Sequence, residues 1–391
     1  MTTTDARITD EALAALRKRI GVETPIEDPF NAYASKDAIR HFARGVGDTN
    51  PLWQDEEYAR KTRWNDIIAP PAFLYSLRGR NGGAAGVSAI GLAGVHGVNA
   101  GTEFEWYRPI LAGERIISTM ALTDVIEKQG QFAGRQVLQG VSVFYRAADG
   151  ALVARAKAWS MRTERPAARE RKKYSEVVPR QHTPDDIARI EADYDQETRR
   201  GSTPRYWEDV REGDSLGHVV KGPLTVTDMI CWLIGQGYYP FLRAHRLALE
   251  YKRRHPNVYN LDSLGVPDVM ERVHWDDAAA RDVGAPGAYD FGPQRVSWLA
   301  HLLTNWMGDD AFLKSLSAQV RRFAIMGDTI WCKGRVVRKY VQGDHHLVDV
   351  EAWAENQRGE NTAPGNAKII LPSRENGPVR IPLAADGTPK S

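Results

Sequence analysis

The sequence predicts an α+β protein made of two homologous halves in tandem. In each half, helical patterns come first, and alternating patterns typical of antiparallel strands follow. Trp53 and Pro71 in the first half are 18 positions apart (71 − 53), as are His274 and Gly292 in the second half (292 − 274). Two further segments hold corresponding places in the two halves, residues 108–114 and 322–328. This internal repeat indicates a duplicated fold.

Composition and charge narrow the classes of function. The 391 residues are 42% hydrophobic and 26% charged, as in ordinary globular proteins. The net charge of +2 gives no reason to expect a nucleic acid or an anionic membrane as a partner. The N-terminus has no basic region followed by an apolar run, and no stretch reaches the length of a membrane span. We therefore expect a cytoplasmic, enzyme-like protein.

The first half, residues 1–164, is predicted to place helices before strands. Helical segments with Asp10 and Ser35 as caps are predicted at 10–20, 35–43, 55–60 and 70–77. Two prolines open the last of these, where a first helical turn tolerates them. The glycine-rich segment 79–101 is typical of a long loop. Alternating patterns then predict strands at 103–109, 115–120, 135–145 and 152–159.

The second half, residues 203–374, repeats this order after a charged segment. Residues 165–202 hold too few apolar residues for a core and are predicted to be a linker with a short polar helix. Helices are predicted at 225–234 and 294–307, and strands at 319–323, 329–339, 347–357 and 366–371. A polar tail, residues 375–391, is expected to be flexible. His345 and His346 lie at a predicted strand turn without a third metal ligand at useful spacing, so no metal site is expected.

Three segments resemble one known family. Gly47–Leu52, followed by Asp55–Ala59, resembles the motif of (R)-specific enoyl-CoA hydratases among the MaoC-like proteins. Ile67–Phe73 resembles the FAS1-like dehydratase N-terminal domain of that superfamily, and Tyr206–Val210 resembles the start of a second such domain. The resemblance implies a double hot-dog fold, in which each antiparallel sheet wraps around a long helix.

The resemblance also implies an activity and partners. Members of the family add water reversibly to the 2,3 double bond of an acyl-CoA thioester, and they need no cofactor beyond the CoA of the substrate. They associate through their sheets, so a homodimer, or a hetero-oligomer with another hot-dog subunit, is expected. For this chain the implied activity is that of a hydratase or dehydratase.

Catalysis in the family uses an aspartate and a histidine five positions apart, with a glycine N–H at the start of the central helix to hold the thioester oxygen. The first half keeps Asp48 and Asn50 but has Trp53 at the histidine position and Pro71 at the glycine position. Proline has no N–H to donate. We therefore expect the first half to be noncatalytic. Asp48 could act in catalysis or only as a loop or cap residue.

The second half keeps His274 and Gly292, but Val269 stands five positions before the histidine. The nearby carboxylates Asp268 and Glu271 are candidates to replace the missing acid, although each could simply be solvated. His274 is predicted to move protons, because imidazole titrates near neutral pH. The Gly292 N–H is predicted to polarise the thioester. Structural alternatives remain for both residues, a packed histidine and a tight turn.

An insertion that runs to about residue 267 supplies further candidates. Tyr238 and Tyr239, with Trp298 in the long helix, are predicted to line a pocket for a bulky or unusual acyl group. Arg253 belongs to a basic group that could either bind CoA phosphates or form a solvated helix face. Asn50 is a further candidate for substrate binding. Two other functions stay open, a noncatalytic acyl-CoA-binding or partner subunit and a thioesterase on the same fold.

Overall fold

The computed structural model describes residues 7–79, 92, 95–130, 133–164, 177–179, 181–237 and 242–381. Its helices are α1 (Asp10–Arg17), α2 (Lys36–Val46), α3 (Glu56–Arg60), α4 (Pro184–Asp195), α5 (Val226–Gln236), α6 (His245–Arg254), α7 (Asp277–Asp282) and α8 (Gly292–Met307). Its strands in the first half are β1 (Glu23–Pro25), β2 (His96–Trp106), β3 (Ile116–Gly130), β4 (Ala133–Ala147) and β5 (Leu152–Thr163). In the second half they are β6 (Ser215–Lys221), β7 (Tyr259–Leu261), β8 (Pro267–Val269), β9 (Phe312–Gln319), β10 (Ile330–Gln342), β11 (His345–Asn356) and β12 (Asn361–Ile370).

One antiparallel sheet runs through both halves. Its strand order is β1-β3-β4-β5-β2-β9-β12-β11-β10-β6, so five strands of each half lie side by side. The halves join where β2 pairs with β9, with Gly101 opposite Gln319 and Glu105 opposite Ser315. Among the strands of the described residues, β7 and β8 stand apart as a two-stranded hairpin within the insertion. The predicted tandem α+β architecture is confirmed.

The long helix α8 lies inside the curve of the sheet. It contacts β2, β6 and β9 to β12, and every residue from Pro293 to Met307 is buried. The helix predicted at 294–307 is therefore confirmed. Its counterpart in the first half is a 3-10 helix, Pro71–Leu77, which is also buried after its first residue. The two central helices of the predicted fold are thus unequal in length within the described residues.

Local contacts repeat between the halves. Asp55 caps α3 through the N–H groups of Glu57 and Tyr58, and Asp276 caps α7 through the two equivalent N–H groups. Ile68 forms an isolated bridge with Leu111, and Tyr289 forms the matching bridge with Ile325. These matched caps and bridges support the duplication.

Two details of the predicted elements are wrong. The strand predicted at 319–323 lies at Phe312–Gln319 instead, and Val320 begins the loop that follows it. Burial does not alternate at the start of β9, because Phe312 and Leu313 are both buried. The alternation of apolar and polar residues that predicts a strand is therefore weak in this segment. The cap of α1 is the side chain of Thr9, which accepts from Ala12 N, and Asp10 is the first helical residue.

Described parts of the segments predicted as loop, linker and tail form regular elements or pack against the core. β2 begins at His96, inside the predicted loop 79–101, most of which lies outside the described residues. The predicted linker holds α4, whose Ile190 is buried. Val379, in the predicted tail, is also buried, and its carbonyl accepts a hydrogen bond from Arg63 at 2.6 Å. None of the helices in the described ranges combines the length and hydropathy needed to cross a membrane.

Candidate functional site

His274 ends a 3-10 helix, Met270–His274, at the edge of the second half's core. Its ring Nδ1 lies 2.8 Å from the carbonyl oxygen of Tyr289. A carbonyl oxygen only accepts, so Nδ1 carries the hydrogen and, in the neutral ring, Nε2 carries the lone pair. The ring also stacks on Phe291, with centroids 3.7 Å apart. These contacts fix both the tautomer and the plane of the imidazole.

Gly292 follows Phe291 directly and is the first residue of α8. The stack of His274 on Phe291 therefore brings the histidine next to this glycine, as the sequence predicts. The first N–H groups of a helix have no partner within the helix, and the positive end of its dipole favours a developing negative charge. A buried ion pair between Asp290 and Arg295 ties the chain before Gly292 to the helix. This ion pair holds the chain in place at the start of the helix.

Glu271 lies on the same 3-10 helix, three residues before His274. Residues three apart in a 3-10 helix eclipse each other, so the two side chains share a face. Glu271 is 8% exposed. Burial raises the pKa of its carboxyl to about 8, and this effect outweighs the positive charge of Arg78, which lowers the pKa. It is therefore protonated at neutral pH and can act as a proton donor.

Asp268 has a different environment. It lies in β8 opposite Asn260, and its Oδ1 accepts from the N–H of the next residue, Val269, at 2.7 Å. Of the two carboxylates that the sequence offered as partners of His274, Glu271 is the buried one, while Asp268 belongs to the hairpin of the insertion.

Two residues of the first half reach this site, and the sequence analysis did not identify them. Arg78 is buried just after the 3-10 helix Pro71–Leu77, and its charge acts on Glu271. The side chain of Asn99 lies 3.0 Å from the position that a Cβ on Gly292 would occupy. Buried arginines are rare in proteins. An interaction between Arg78 and Glu271, which are 193 positions apart (271 − 78), cannot be found from a local sequence pattern.

Asp48 lies in a separate buried network in the first half. Its Oδ2 accepts from the indole Nε1 of Trp53 at 2.9 Å, and its Oδ1 accepts from the backbone N–H of Asn50 at 2.9 Å. Burial raises the pKa of Asp48. The Oδ1 of Asn50 caps the turn by accepting from Leu52 N at 3.0 Å, so Asn50 has a local structural partner rather than an evident role at His274.

The second half completes this network with residues that the sequence analysis did not single out. His301 Nε2, from α8, lies 3.5 Å from Asp48 Oδ1. Lys221 Nζ lies 3.0 Å from His301 Nδ1 and donates to the carbonyl of Val46 at the end of α2. Burial lowers the pKa of His301 well below its usual value and also lowers that of Lys221. His301 is therefore neutral, and the network links the two halves.

An apolar cavity of about 50 Å³ lies beside this network. Its lining combines the two positions that depart from the family motif, Trp53 and Pro71, with residues from the end of α8 such as Met307. Pro71 presents no N–H, so this cavity lacks the donor that Gly292 offers in the other half.

Two of the remaining predicted binding residues, Trp298 and Arg253, lie within the described part of the chain. Trp298 is 2% exposed and belongs to the main hydrophobic core. Arg253 is exposed in the last turn of α6. Tyr238 and Tyr239 lie outside the described residues. Within the described residues, no group of three or more histidine, cysteine, aspartate or glutamate side chains is arranged to hold a metal ion.

Comparison with known proteins gives relatives for part of the chain. Residues 18–156 match the family described as FAS1-like, dehydratase domain region. A UPF0336 protein of Streptomyces avermitilis is 30% identical over 135 residues, which are 32% of this chain and 89% of that protein. A probable enoyl-CoA hydratase alpha subunit of Thermomonospora curvata is 31% identical over 103 residues, which are 23% of this chain and 31% of that subunit.

Solved structures match nearly the whole chain. A MaoC-like dehydratase covers 91% of this chain and 99% of its own, with a TM-score of 0.61 and 17% identity. A conserved Mycobacterium tuberculosis protein with a double hotdog fold covers 90% of this chain and 96% of its own, with a TM-score of 0.52 and 11% identity. At these identities the likeness shows the fold, which is the double hot dog that the sequence resemblance implied.

Proposed function

The chain belongs to the FAS1-like dehydratase family of MaoC-like proteins, and we propose that its second half catalyses reversible addition of water to a 2-enoyl-CoA thioester. The observation that carries this proposal is the stacking of the His274 ring on Phe291, the residue that precedes Gly292 at the helix start. The activity in the name of the Thermomonospora curvata relative supports an enoyl-CoA substrate.

Each group of the site has a role in this reaction. In the hydration direction, His274 Nε2 takes a proton from water as the water oxygen bonds to C3 of the substrate. The N–H of Gly292 donates to the thioester oxygen, which gains negative charge as the double bond breaks; one such donor is typically worth about 3 kcal/mol. Protonated Glu271 then gives its proton to C2. Proton return from His274 to Glu271 through solvent restores both groups, so one water is added in total.

The first half does not catalyse in this proposal. Its cavity has an indole at the histidine position and a proline at the donor position, and its Asp48 is held by Trp53. This half instead contributes Arg78 and Asn99 to the site of the second half. The reaction needs no cofactor beyond the CoA of the substrate, so turnover should persist in EDTA.

A second candidate function is a noncatalytic acyl-CoA-binding or partner subunit. The observation that favours it is the absence in both halves of the family's aspartate–histidine pair at five positions, since Asp48 faces Trp53 and Val269 precedes His274. In either case association with a second copy or with another hot-dog subunit stays a prediction, which light scattering of the purified protein would measure.

The test is turnover of a panel of 2-enoyl-CoA thioesters, followed as loss of enoyl absorbance. We expect wild type to hydrate at least one member and His274→Ala to lose that activity by about 10²–10⁴-fold. The matched control is Asp48→Asn, which changes the noncatalytic half. Loss of activity in Asp48→Asn with His274→Ala intact would place the site in the first half. Binding of thioesters without any turnover would favour the partner subunit.

A further inference from the structure

The inner face of the first half's sheet changes from apolar to polar at one end. Along β5 the side chains that face inwards are Ala154, Ala156 and Ala158, all buried, and the next two in the same alternation are Ser160 and Arg162. On the neighbouring strand β4, buried Gln139 lies opposite Ser160. Polar side chains on the core side of a sheet require partners there.

A β-bulge adds Asn99 to this polar end. The register between β2 and β5 shifts between Asn99 and Gly101, and Asn99 pairs with Ser160. An extra residue in one strand changes which side chains face inwards, so Asn99 joins the side of Phe104 and Trp106. Its Oδ1 accepts from Gly101 N at 3.0 Å, which leaves its Nδ2 as a donor directed elsewhere. The same side chain lies against Gly292 at the start of α8.

Arg162 is the unusual member of the group. It is 3% exposed, its Nη2 donates to Leu92 O at 2.9 Å, and its buried Nε has no hydrogen-bond partner. No carboxylate of the described residues forms an ion pair with it. Burial lowers the pKa of Arg162 to about 10, so it stays charged at neutral pH.

Arg295 shows how a buried arginine is ordinarily accommodated in this protein. It is equally buried, and Asp290 pairs with it through both oxygens. A buried charge without such a partner is costly. Arg162 therefore calls for an anion that the described residues do not supply.

The position of Arg162 relative to the candidate active site limits which anion fits. Its guanidinium packs against Gly97, since a Cβ on that residue would lie 2.3 Å from Arg162 Nη1. Gly97 precedes Asn99 by two residues on β2. Two strand residues span about 6.6 Å. A group bound at Arg162 is therefore separated from the helix start at Gly292 by roughly the length of a short acyl chain. The phosphates of CoA lie at the other end of such a thioester, on its solvent side.

We propose that Arg162, with Ser160 and Asn99, binds a carboxylate on the acyl group of the substrate, so that the substrate class is a short carboxylated acyl-CoA. The guanidinium forms the ion pair, and the Ser160 hydroxyl and the Asn99 amide are donors beside it. The assignment of a CoA thioester as the ligand rests on the proposed function, whereas the anion site itself rests on the buried guanidinium of Arg162.

Binding of unreactive saturated thioesters tests the site without any turnover. Succinyl-CoA and butyryl-CoA have equal chain lengths and differ in the terminal carboxylate, and glutaryl-CoA and pentanoyl-CoA form a longer matched pair. We expect calorimetry to give tighter binding of the carboxylated member of at least one pair. Arg162→Gln should weaken that member on the order of 100-fold, much more than its neutral match.

Three outcomes would overturn the proposal: equal affinity within both pairs in wild type, an unchanged preference in Arg162→Gln, or an equal loss for succinyl-CoA, butyryl-CoA and free CoA. The last would assign Arg162 to a phosphate. If the preference depends on Arg162 while no enoyl thioester is hydrated, the carboxylate site stands and the proposed hydratase activity fails.

Folding of the variant is checked against a matched arginine. Arg162→Gln removes a charge that no carboxylate of the described part of the chain neutralises, so its melting temperature should not fall, whereas Arg295→Gln leaves Asp290 buried without its cation and should melt lower. Should Arg162→Gln fail to fold, Arg162→Lys and Ser160→Ala provide the same comparison, and retention of full preference in both would contradict the proposal.

Discussion

The indole Nε1 of Trp53 donates to Asp48 Oδ2 at 2.9 Å, in the place where the related family sets a catalytic histidine. The tryptophan occupies the carboxylate and is itself buried. In this chain the contact between Trp53 and Asp48 is therefore a buried packing contact. The consequences of this contact, and of the contacts around His274 and Gly292 in the second half, can be measured.

Trp53→His should not create a second active site. The substitution restores the spacing of five positions to Asp48, but Pro71 still presents no N–H at the helix start. It also leaves a cavity where a buried tryptophan stood, so we expect a loss of stability of about 2–4 kcal/mol in urea unfolding. Turnover that rises in Trp53→His and still rises when His274 is changed to alanine would contradict this expectation.

Gly292→Pro should lower kcat by about 10²–10³-fold, because it removes the N–H donor while proline remains tolerated at the first position of a helix. Gly292→Ala is the matched control, since its Cβ also meets Asn99 at 3.0 Å but its N–H is kept. The ratio of the two kcat values therefore isolates the donor. Equal activities in the two variants would show that the Gly292 N–H does not act on the thioester.

Glu271→Gln should change how stability depends on pH. Between the ordinary pKa of 4.5 and the folded value of about 8, the folded protein keeps a proton that the unfolded chain releases. The unfolded state then binds fewer protons, so the stability of wild type falls as pH rises through this window. We expect Glu271→Gln to lose this dependence and to be more stable than wild type at pH 8, by on the order of 1–3 kcal/mol.

Urea unfolding at several values from pH 5 to pH 8 measures the effect of Glu271. Asp268→Asn is the control, because that carboxylate belongs to the hairpin of the insertion and should leave the slope unchanged. Parallel curves for wild type and Glu271→Gln would mean that Glu271 is ionised in the folded protein. The assigned proton donor would then be wrong.

Lys221→Met should destabilise the junction between the halves. The substitution removes the donor to His301 Nδ1 and to the carbonyl of Val46, and leaves these acceptors buried. A cost of about 1–3 kcal/mol is expected for each buried group left without a partner. Lys333 pairs with Glu355 nearer the surface, so Lys333→Met is the control. Its free energy of unfolding should change by about 1 kcal/mol at most.

The sequence predicts the parts of this protein that depend on local spacing. His274 and Gly292 are found by their interval, and α8 by its apolar run, since neither requires knowledge of the sheet. Glu271 remains one of two candidates in the sequence, and burial is what distinguishes it from Asp268.

Residues that act across the two halves are beyond local patterns. Asn99 faces Gly292 because of a bulge, and a bulge depends on the pairing of two strands rather than on one segment. Lys221 meets His301 and Asp48 only once α8 lies inside the sheet. The misplacement of β9 has the same origin, because its register is set by β2 and β12 on either side.

The pairing of β2 with β9 also sets a fixed stoichiometry. A half produced alone would expose this strand edge, which is a template for pairing with any other chain. Because both halves belong to one covalent chain, the β2 edge of each first half has the β9 edge of a second half available in equal number. Separately expressed halves would have to find this partner by diffusion, and self-paired products would accumulate in proportion to any imbalance in their synthesis.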